Sequence, residues 1–371
     1  MKEWTKFLFL AAMFGLFYFV RIDLLVSIPL VSAGAVLLHE YARLHVLTCL
    51  LPAFFLAGTI AVYVKKDAVV KLLGPSTKKY VAYPVAGISG GILAVCSCTI
   101  LPLFTGIYKR GAGIGPAVAF LFTGPAINVT AILLTSSVLG WDFAIGRLVA
   151  AMVISIVAGL VMAFVFRDDQ KVEKREFATG LESDVPYSTM TVVSFFVLQL
   201  VVLVVFGLAI DPLLKTILIV LSILGIVGIA AFGFRKEHTI EWFRETWGLT
   251  KKIMPYLFVG VFIAGMIETL VPQDVVTGLV GKNTLFSNAI ASTFGAFMYF
   301  ATLTEVPVIQ KLMGLGMGRG PALTLFLTGN ALSLPSMIVL FKIMGKRQAS
   351  VYILTIIMLS IIAGWLFGMV L

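Results

Sequence analysis

The chain has 371 residues, 60% of them hydrophobic and only 12% charged, with a formal net charge of +10 and a mean hydropathy of +1.06. A soluble domain needs about a quarter of its residues charged to cover its surface, so this composition excludes a soluble enzyme and makes lipid the solvent. The charge excess does not mark a nucleic-acid binder. Lys and Arg sit at the ends of apolar runs, at Lys65–Lys66, Lys78–Lys79, Lys109–Arg110, Arg167, Arg235–Lys236, Lys251–Lys252 and Lys346–Arg347, the positive-inside pattern of an inner (cytoplasmic) membrane protein.

In chain order, Lys2 and Lys6 precede an apolar run, Phe7 to Val20. It resembles a signal peptide but lacks a small-x-small cleavage site, which predicts an uncleaved first helix. Apolar segments follow one another at roughly 5–21, 24–38, 46–64, 80–108, 114–139, 141–166, 188–210, 213–234, 252–271, 284–310, 320–345 and 350–371, each wide enough for a span or part of one. They are continuous, whereas a membrane β-barrel would alternate. The polar stretch 167–187 predicts a solvated cytoplasmic linker between two halves. The stretch 234–252 mixes Trp242, Phe243 and Trp247 with basic residues and predicts an amphipathic helix on the membrane surface.

The chain matches itself at a shift of 205 over residues 99–140, with about eleven identities in roughly forty positions. Thr99 and Pro102 recur as Thr304 and Pro307. The run Gly111, Gly113, Gly115, Pro116 and Ala117 recurs as Gly316, Gly318, Gly320, Pro321 and Ala322. Thr123, Gly124 and Ala126 recur as Thr328, Gly329 and Ala331, and Gly140 recurs as Gly345. The fold class expected is therefore an all-α polytopic membrane protein of two homologous repeats, residues 1–166 and 188–371, with about ten spanning helices plus broken or re-entrant segments. Basic residues lie on exchanged sides of corresponding segments, which predicts that the repeats are inverted.

Each copy carries two places where a helix should fail at membrane depth. One is Cys96 to Pro102, with its mate Ala301 to Pro307; the other is Thr123 to Asn128, with its mate Thr328 to Pro335. Proline removes a donor and clashes with the preceding turn, so breaks are expected at Pro102, Gly124–Pro125, Pro307 and Gly329. Unpaired backbone is tolerated in a membrane only within protein or around a watery cavity, and paired breaks in two repeats point to a central transport site. Asn128, Asn330, Thr304, Thr123, Thr328 and Ser333 are expected as its polar lining or as helix–helix hydrogen bonders.

Cys96 and Cys98 stand about 200° apart on a regular helix, so they can share one ligand only where the backbone is unwound. Soft thiolates suit soft guests, trivalent arsenic among them. Glu305 is the sole acid within these breaks and faces Ile100 in the repeat alignment. A carboxylate at that depth is costly and usually functional, which makes it the candidate proton-coupling group. His39 and His45 are six apart, where a zinc-binding helical face needs four, and no phosphate-binding loop of the G-x-x-x-x-G-K-[ST] kind occurs. Neither metal catalysis nor ATP-driven pumping is indicated.

The run Ala94 to Thr135, with AVCSCTILPLFTGIYKRGAGIGPA at its head, and the run Met298 to Leu340, with TEVPVIQ and FLTGNALSLP, resemble the predicted-permease family that includes the ArsP organoarsenical exporters. The resemblance covers most of 46–345. It implies a secondary permease working without ATP, and it maps the family motif onto Cys96, Cys98, Pro102, Gly124, Pro125, Asn128, Thr304, Glu305 and Pro307. The expected function is export, coupled to protons, of a small thiol-reactive compound such as a trivalent arsenical. The alternatives are transport of a sulfur compound or a metal ion, or an intramembrane thiol-redox protein. No cofactor and no resident metal are expected. The partners expected are the lipid bilayer and a small-molecule substrate but no nucleic acid, and a homo-oligomer is left open.

Overall fold

Lipid offers the backbone no hydrogen bonds, so an apolar chain closes its own in helices. The computed structural model describes residues 10–12, 14–16, 18–19, 29–64, 66–74, 77–92, 97–167, 187–207, 211–270, 279–299 and 305–370, and no strand occurs among them. The first half contains α1 (Pro29–Tyr41), a π-helical continuation (Ala42–Leu50), α2 (Leu51–Tyr63), α3 (Lys66–Leu73), α4 (Lys79–Ile92), α5 (Ser97–Lys109), α6 (Ile114–Ala126), α7 (Val129–Leu139) and α8 (Trp141–Val165). The second contains α9 (Thr189–Gly207), α10 (Pro212–Gly228), α11 (Lys236–Leu270), α12 (Leu285–Phe297), α13 (Glu305–Gly314), α14 (Arg319–Ala331), α15 (Leu334–Ile343) and α16 (Lys346–Val370). The linker expected at 167–187 lies outside the described residues apart from its two ends.

Among the described residues five helices, at 141–165, 189–206, 212–233, 236–266 and 346–370, are long and apolar enough to cross a membrane. Three bent pairs raise this to eight if each pair forms one span. The chain is a multi-pass helical membrane protein. The expectation of about ten spans also counted 5–21, about half of which lies outside the described residues, and 24–38, of which 29–38 belongs to α1. α4, α5, α12 and α13 have 14, 13, 13 and 10 residues. At 1.5 Å per residue none reaches across the roughly 30 Å of hydrocarbon alone.

Helix boundaries follow the sequence shift of 205. α6 and α14, and α8 and α16, begin and end at positions separated by 205; α4 with α12 and α5 with α13 share their C-terminal ends at that spacing. The left-handed glycines come in the same pairs, Gly111 (φ 92°) with Gly316 (φ 107°) and Gly140 (φ 97°) with Gly345 (φ 81°). Only glycine adopts that backbone freely, so the turns after α5 and α13, and those before α8 and α16, need it. The crossings match too. A Cβ on Gly115 would lie 2.7 Å from the Gly159 carbonyl oxygen, and one on Gly320 would lie 2.7 Å from that of Gly364. Small residues let membrane helices touch backbone to backbone, here α6 on α8 and α14 on α16.

Contacts between the halves are reciprocal. α7 packs on α13 and α5 on α15, while α6 meets α14 and α8 meets α16. Every residue of α6 is buried, as is all of α14 after Arg319, so these two short helices form the centre of the molecule.

The stretch 234–252 differs from its expectation. It is the first half of α11, a single 35-residue helix with Pro255 inside it. Trp242 does not face lipid. It is buried, its Nε1 donates to the Phe55 carbonyl at 2.9 Å, and its ring meets Phe55 and Phe195. Lys109 Nζ pairs with Glu245 Oε2 at 2.8 Å. Trp242 and Glu245 thus have protein partners, while Phe243 and Ile240 remain exposed.

Candidate functional site

The two central helices stop where breaks were expected, but slightly later. Gly124 and Pro125 lie in the last turn of α6, which ends at Ala126, and Gly329 lies in the last turn of α14, which ends at Ala331. Non-helical backbone begins at Ile127–Asn128 and at Leu332–Ser333. The chain bends by 47° from 114–126 to 131–139 and by 45° from 319–331 to 334–343. A proline deprives the carbonyl four residues earlier of its donor, so it loosens the preceding turn while the helix runs on to its end. Pro102 likewise sits inside α5, and Pro307 lies in the first turn of α13, where a missing N–H costs nothing. Neither proline ends a helix. Ser333 caps α15, accepting from Ser336 N at 3.4 Å.

Arg147 of α8 reaches into the first break. Its side chain is 1% exposed. Nε donates to the Ala126 carbonyl oxygen at 3.3 Å, an acceptor left open because α6 stops there, and a cation at a helix C-terminus is favoured by the dipole. Nη1 donates to Thr135 Oγ1 at 3.0 Å; that hydroxyl in turn donates to Ala131 O at 2.6 Å. From the other half, the Phe326 ring of α14 lies 4.5 Å from the guanidinium carbon.

Opposite stands Glu305, the first residue of α13, fully buried. Its Oε2 lies 3.6 Å from Arg147 Nη2, an ion pair too long for a hydrogen bond. Neither carboxylate oxygen, nor Arg147 Nη2, nor Asn330 Nδ2 has a hydrogen-bond partner among the described residues. Asn330 of α14 is 6% exposed and acts on the same carboxylate. Buried polar atoms are nearly always paired, and here four unpaired ones belong to three neighbouring side chains.

Asn128 is buried at the first break, between α6 and α7, and has partners of its own. Thr123 and Thr328 are packing groups: Thr123 donates to Ala119 O within its helix, and Thr328 bonds Ser292 of α12 at 2.9 Å. A polar ladder continues from there, with Thr324 donating to Asn288 Oδ1 at 2.7 Å and Asn288 Nδ2 to Asn283 Oδ1 at 3.0 Å. Cys96 and Thr304 lie outside the described residues, as does the side chain of Cys98, the second residue of α5.

The family model described as a predicted permease (ArsP_1) matches residues 32–369. This chain belongs to that permease family. The permease is 43% identical over 346 residues to the UPF0718 protein MJ0584 of Methanocaldococcus jannaschii, covering 90% of this chain and 94% of that one. It is 26% identical over 289 residues to the UPF0718 protein YraQ of Escherichia coli, covering 77% and 67%. No solved structure matches.

Within the permease, sequence reasoning singled out Glu305, Asn330 and the breaks after α6 and α14 but not Arg147. An ionisable residue inside an apolar segment is a functional signal, and Arg147 stands in one, at 141–166. The same shift of 205 sets it against Tyr352, just as Glu305 is set against Ile100. The corresponding positions of the other copy are thus uncharged, which singles out the pair.

Proposed function

We propose that this permease is a secondary transporter whose substrate path runs between the two halves, at the ends of α6 and α14. The observation that carries the reading is the buried Arg147–Glu305 pair, contributed by opposite halves beside two broken central helices. Residues 1–166 and 188–371 form two repeats in this reading. The matched helix ends and reciprocal packing support a two-fold relation, and the basic pair Lys346–Arg347, which corresponds to a connection without Lys or Arg at 136–142 in the first copy, supports inversion. The linker 167–187 and residues 346–347 are then cytoplasmic and 136–142 external. Lys346→Cys, on a background without native cysteines, should resist membrane-impermeant thiol reagents in intact cells. Strong labelling from outside would leave a parallel repeat instead.

The substrate is a small thiol-reactive compound, with trivalent arsenicals as its type, exported across the cytoplasmic membrane and coupled to protons through Glu305. Cys96 and Cys98 flank the start of α5, the helix that packs on α15 of the other half, and supply soft ligands. The test is transport of arsenite and a trivalent organoarsenical into everted vesicles with an imposed proton gradient. Cys96→Ser with Cys98→Ser should bring uptake down to the level of vesicles lacking the protein while leaving expression unchanged. Wild-type uptake by that variant would reduce both sulfurs to packing groups.

A further inference from the structure

We propose that Arg147, Asn330 and Glu305 form a binding site for a small oxyanion, or for one acidic oxygen group of a larger substrate, which opens when Glu305 takes up a proton. The inference rests on the transport path and the proton-carrying Glu305 of the reading above, and it adds an acidic guest that moves with the proton rather than against it.

Arg147 and Glu305 are buried together, so the resting site holds one positive and one negative charge and is neutral. Arginine does not release its proton in proteins, whereas a carboxylate does. When Glu305 is protonated, the guanidinium loses its counter-charge inside the membrane, and an unpaired buried charge is strongly disfavoured. An anion restores neutrality, so proton and anion bind as a pair.

Geometry supplies the donors. Arg147 Nη2 and Asn330 Nδ2 are buried without partners among the described residues, and protonation gives Glu305 an O–H. Nη2 and Oε2 stand 3.6 Å apart, and Asn330 bears on the same carboxylate. The guanidinium edge is a planar fork suited to oxyanions. It is held in place by its other two nitrogens on Ala126 O and Thr135 Oγ1 and by the Phe326 ring. Few other charges bear on the site. Val129–Leu139 of α7 carries no titratable residue; α14 carries only Arg319, at its far end, and α8 adds Asp142, which is exposed. On α13 itself Lys311 is two turns away and exposed.

The purified full-length protein in nanodiscs is titrated with nitrate and with chlorate, which stay singly charged anions from weakly acidic to weakly alkaline pH. Any pH dependence then belongs to the protein. With one proton taken up per anion, wild-type affinity should fall about tenfold for each unit rise in pH above the titration of Glu305 and level off below it. A weakly buffered sample should lose one proton from solution per anion bound. Glu305→Gln, permanently neutral, should bind at every pH as tightly as the wild type does at its most acidic. Arg147→Gln combined with Glu305→Gln keeps a neutral, hydrogen-bonding pair, reports folding by its thermal transition, and should bind neither probe. Steep pH dependence retained by Glu305→Gln, unchanged binding by the double variant, or no binding of either probe to wild type and Glu305→Gln overturns the proposal. Failure of the soft-substrate reading looks different: Cys96→Ser with Cys98→Ser would transport normally while proton-linked anion binding persisted.

Discussion

Glu305→Gln should abolish proton-driven flux while sparing substrate exchange. The substitution keeps the length and hydrogen-bonding character of the side chain and fixes it in the uncharged state that protonation would give. The fold itself does not demand an acid there, since the position displaced by 205 is Ile100, buried and apolar. Yet one half retains a carboxylate with no exposure, and even the gentlest insertion scales charge about 2.5 kcal/mol or more for that. Arg147 offsets part of the cost, but at 3.6 Å and without a hydrogen bond. In everted vesicles, accumulation of a trivalent arsenical under an imposed pH gradient should fall to the background of vesicles lacking the protein. Exchange of labelled for unlabelled substrate, with no gradient, should continue, because exchange returns the transporter without a net proton. Wild-type accumulation that still follows the gradient would remove Glu305 from coupling and leave it the role of first residue of α13.

Much of this layout is legible in the sequence because glycine and proline leave marks that packing cannot erase. Gly111 and Gly140 are needed where φ is positive, their mates Gly316 and Gly345 repeat the need, and both pairs stand in the sequence at one fixed shift. The breaks after α6 and α14 were legible to within a turn, whereas those expected at Pro102 and Pro307 are not where the helices end. Gly124–Pro125 and Gly329–Asn330 weaken a helix but do not say at which residue it stops, which depends on what takes up the freed carbonyls. For α6 that group is Arg147, 21 residues further along the chain, bonded to Ala126 O, and no local rule connects the two. Arg147 itself stands six residues after Trp141, where a basic residue reads as an interfacial anchor. Only the approach of α13 and α14 from the other half turns it into a buried site. The long α11 was misread for a related reason. Trp242 and Glu245 look like a membrane-facing amphipathic pattern until Phe55 and Lys109 are found opposite them. The Asn283–Asn288–Thr324 ladder was equally silent, since single polar residues in apolar segments do not announce their partners.

Removing one member of the buried pair should cost far more stability than removing both, and the cost should depend on pH in one direction only. Arg147→Met strands Glu305 without its counter-charge and takes donors from Ala126 O and Thr135 Oγ1. Breaking a buried pair in this way costs about 3–5 kcal/mol, whereas replacing both partners by well-packed apolar groups is often neutral. Arg147→Met with Glu305→Leu should therefore recover most of the loss, so that the double variant loses less than the sum of the two single losses by about 5 kcal/mol or more. The sign with pH follows from which partner can discharge itself. A stranded carboxylate becomes neutral by taking a proton, so the penalty of Arg147→Met should shrink as pH falls. A stranded guanidinium cannot lose its proton, so the penalty of Glu305→Leu alone should stay constant over the same range. Thermal unfolding of the detergent-solubilised full-length protein, run on the two single variants and the double across pH, measures all three quantities. Additive single losses, or identical pH profiles for the two single variants, would mean that Arg147 and Glu305 are neighbours without being a charge pair, and the neutrality argument that links proton to anion would fall with them.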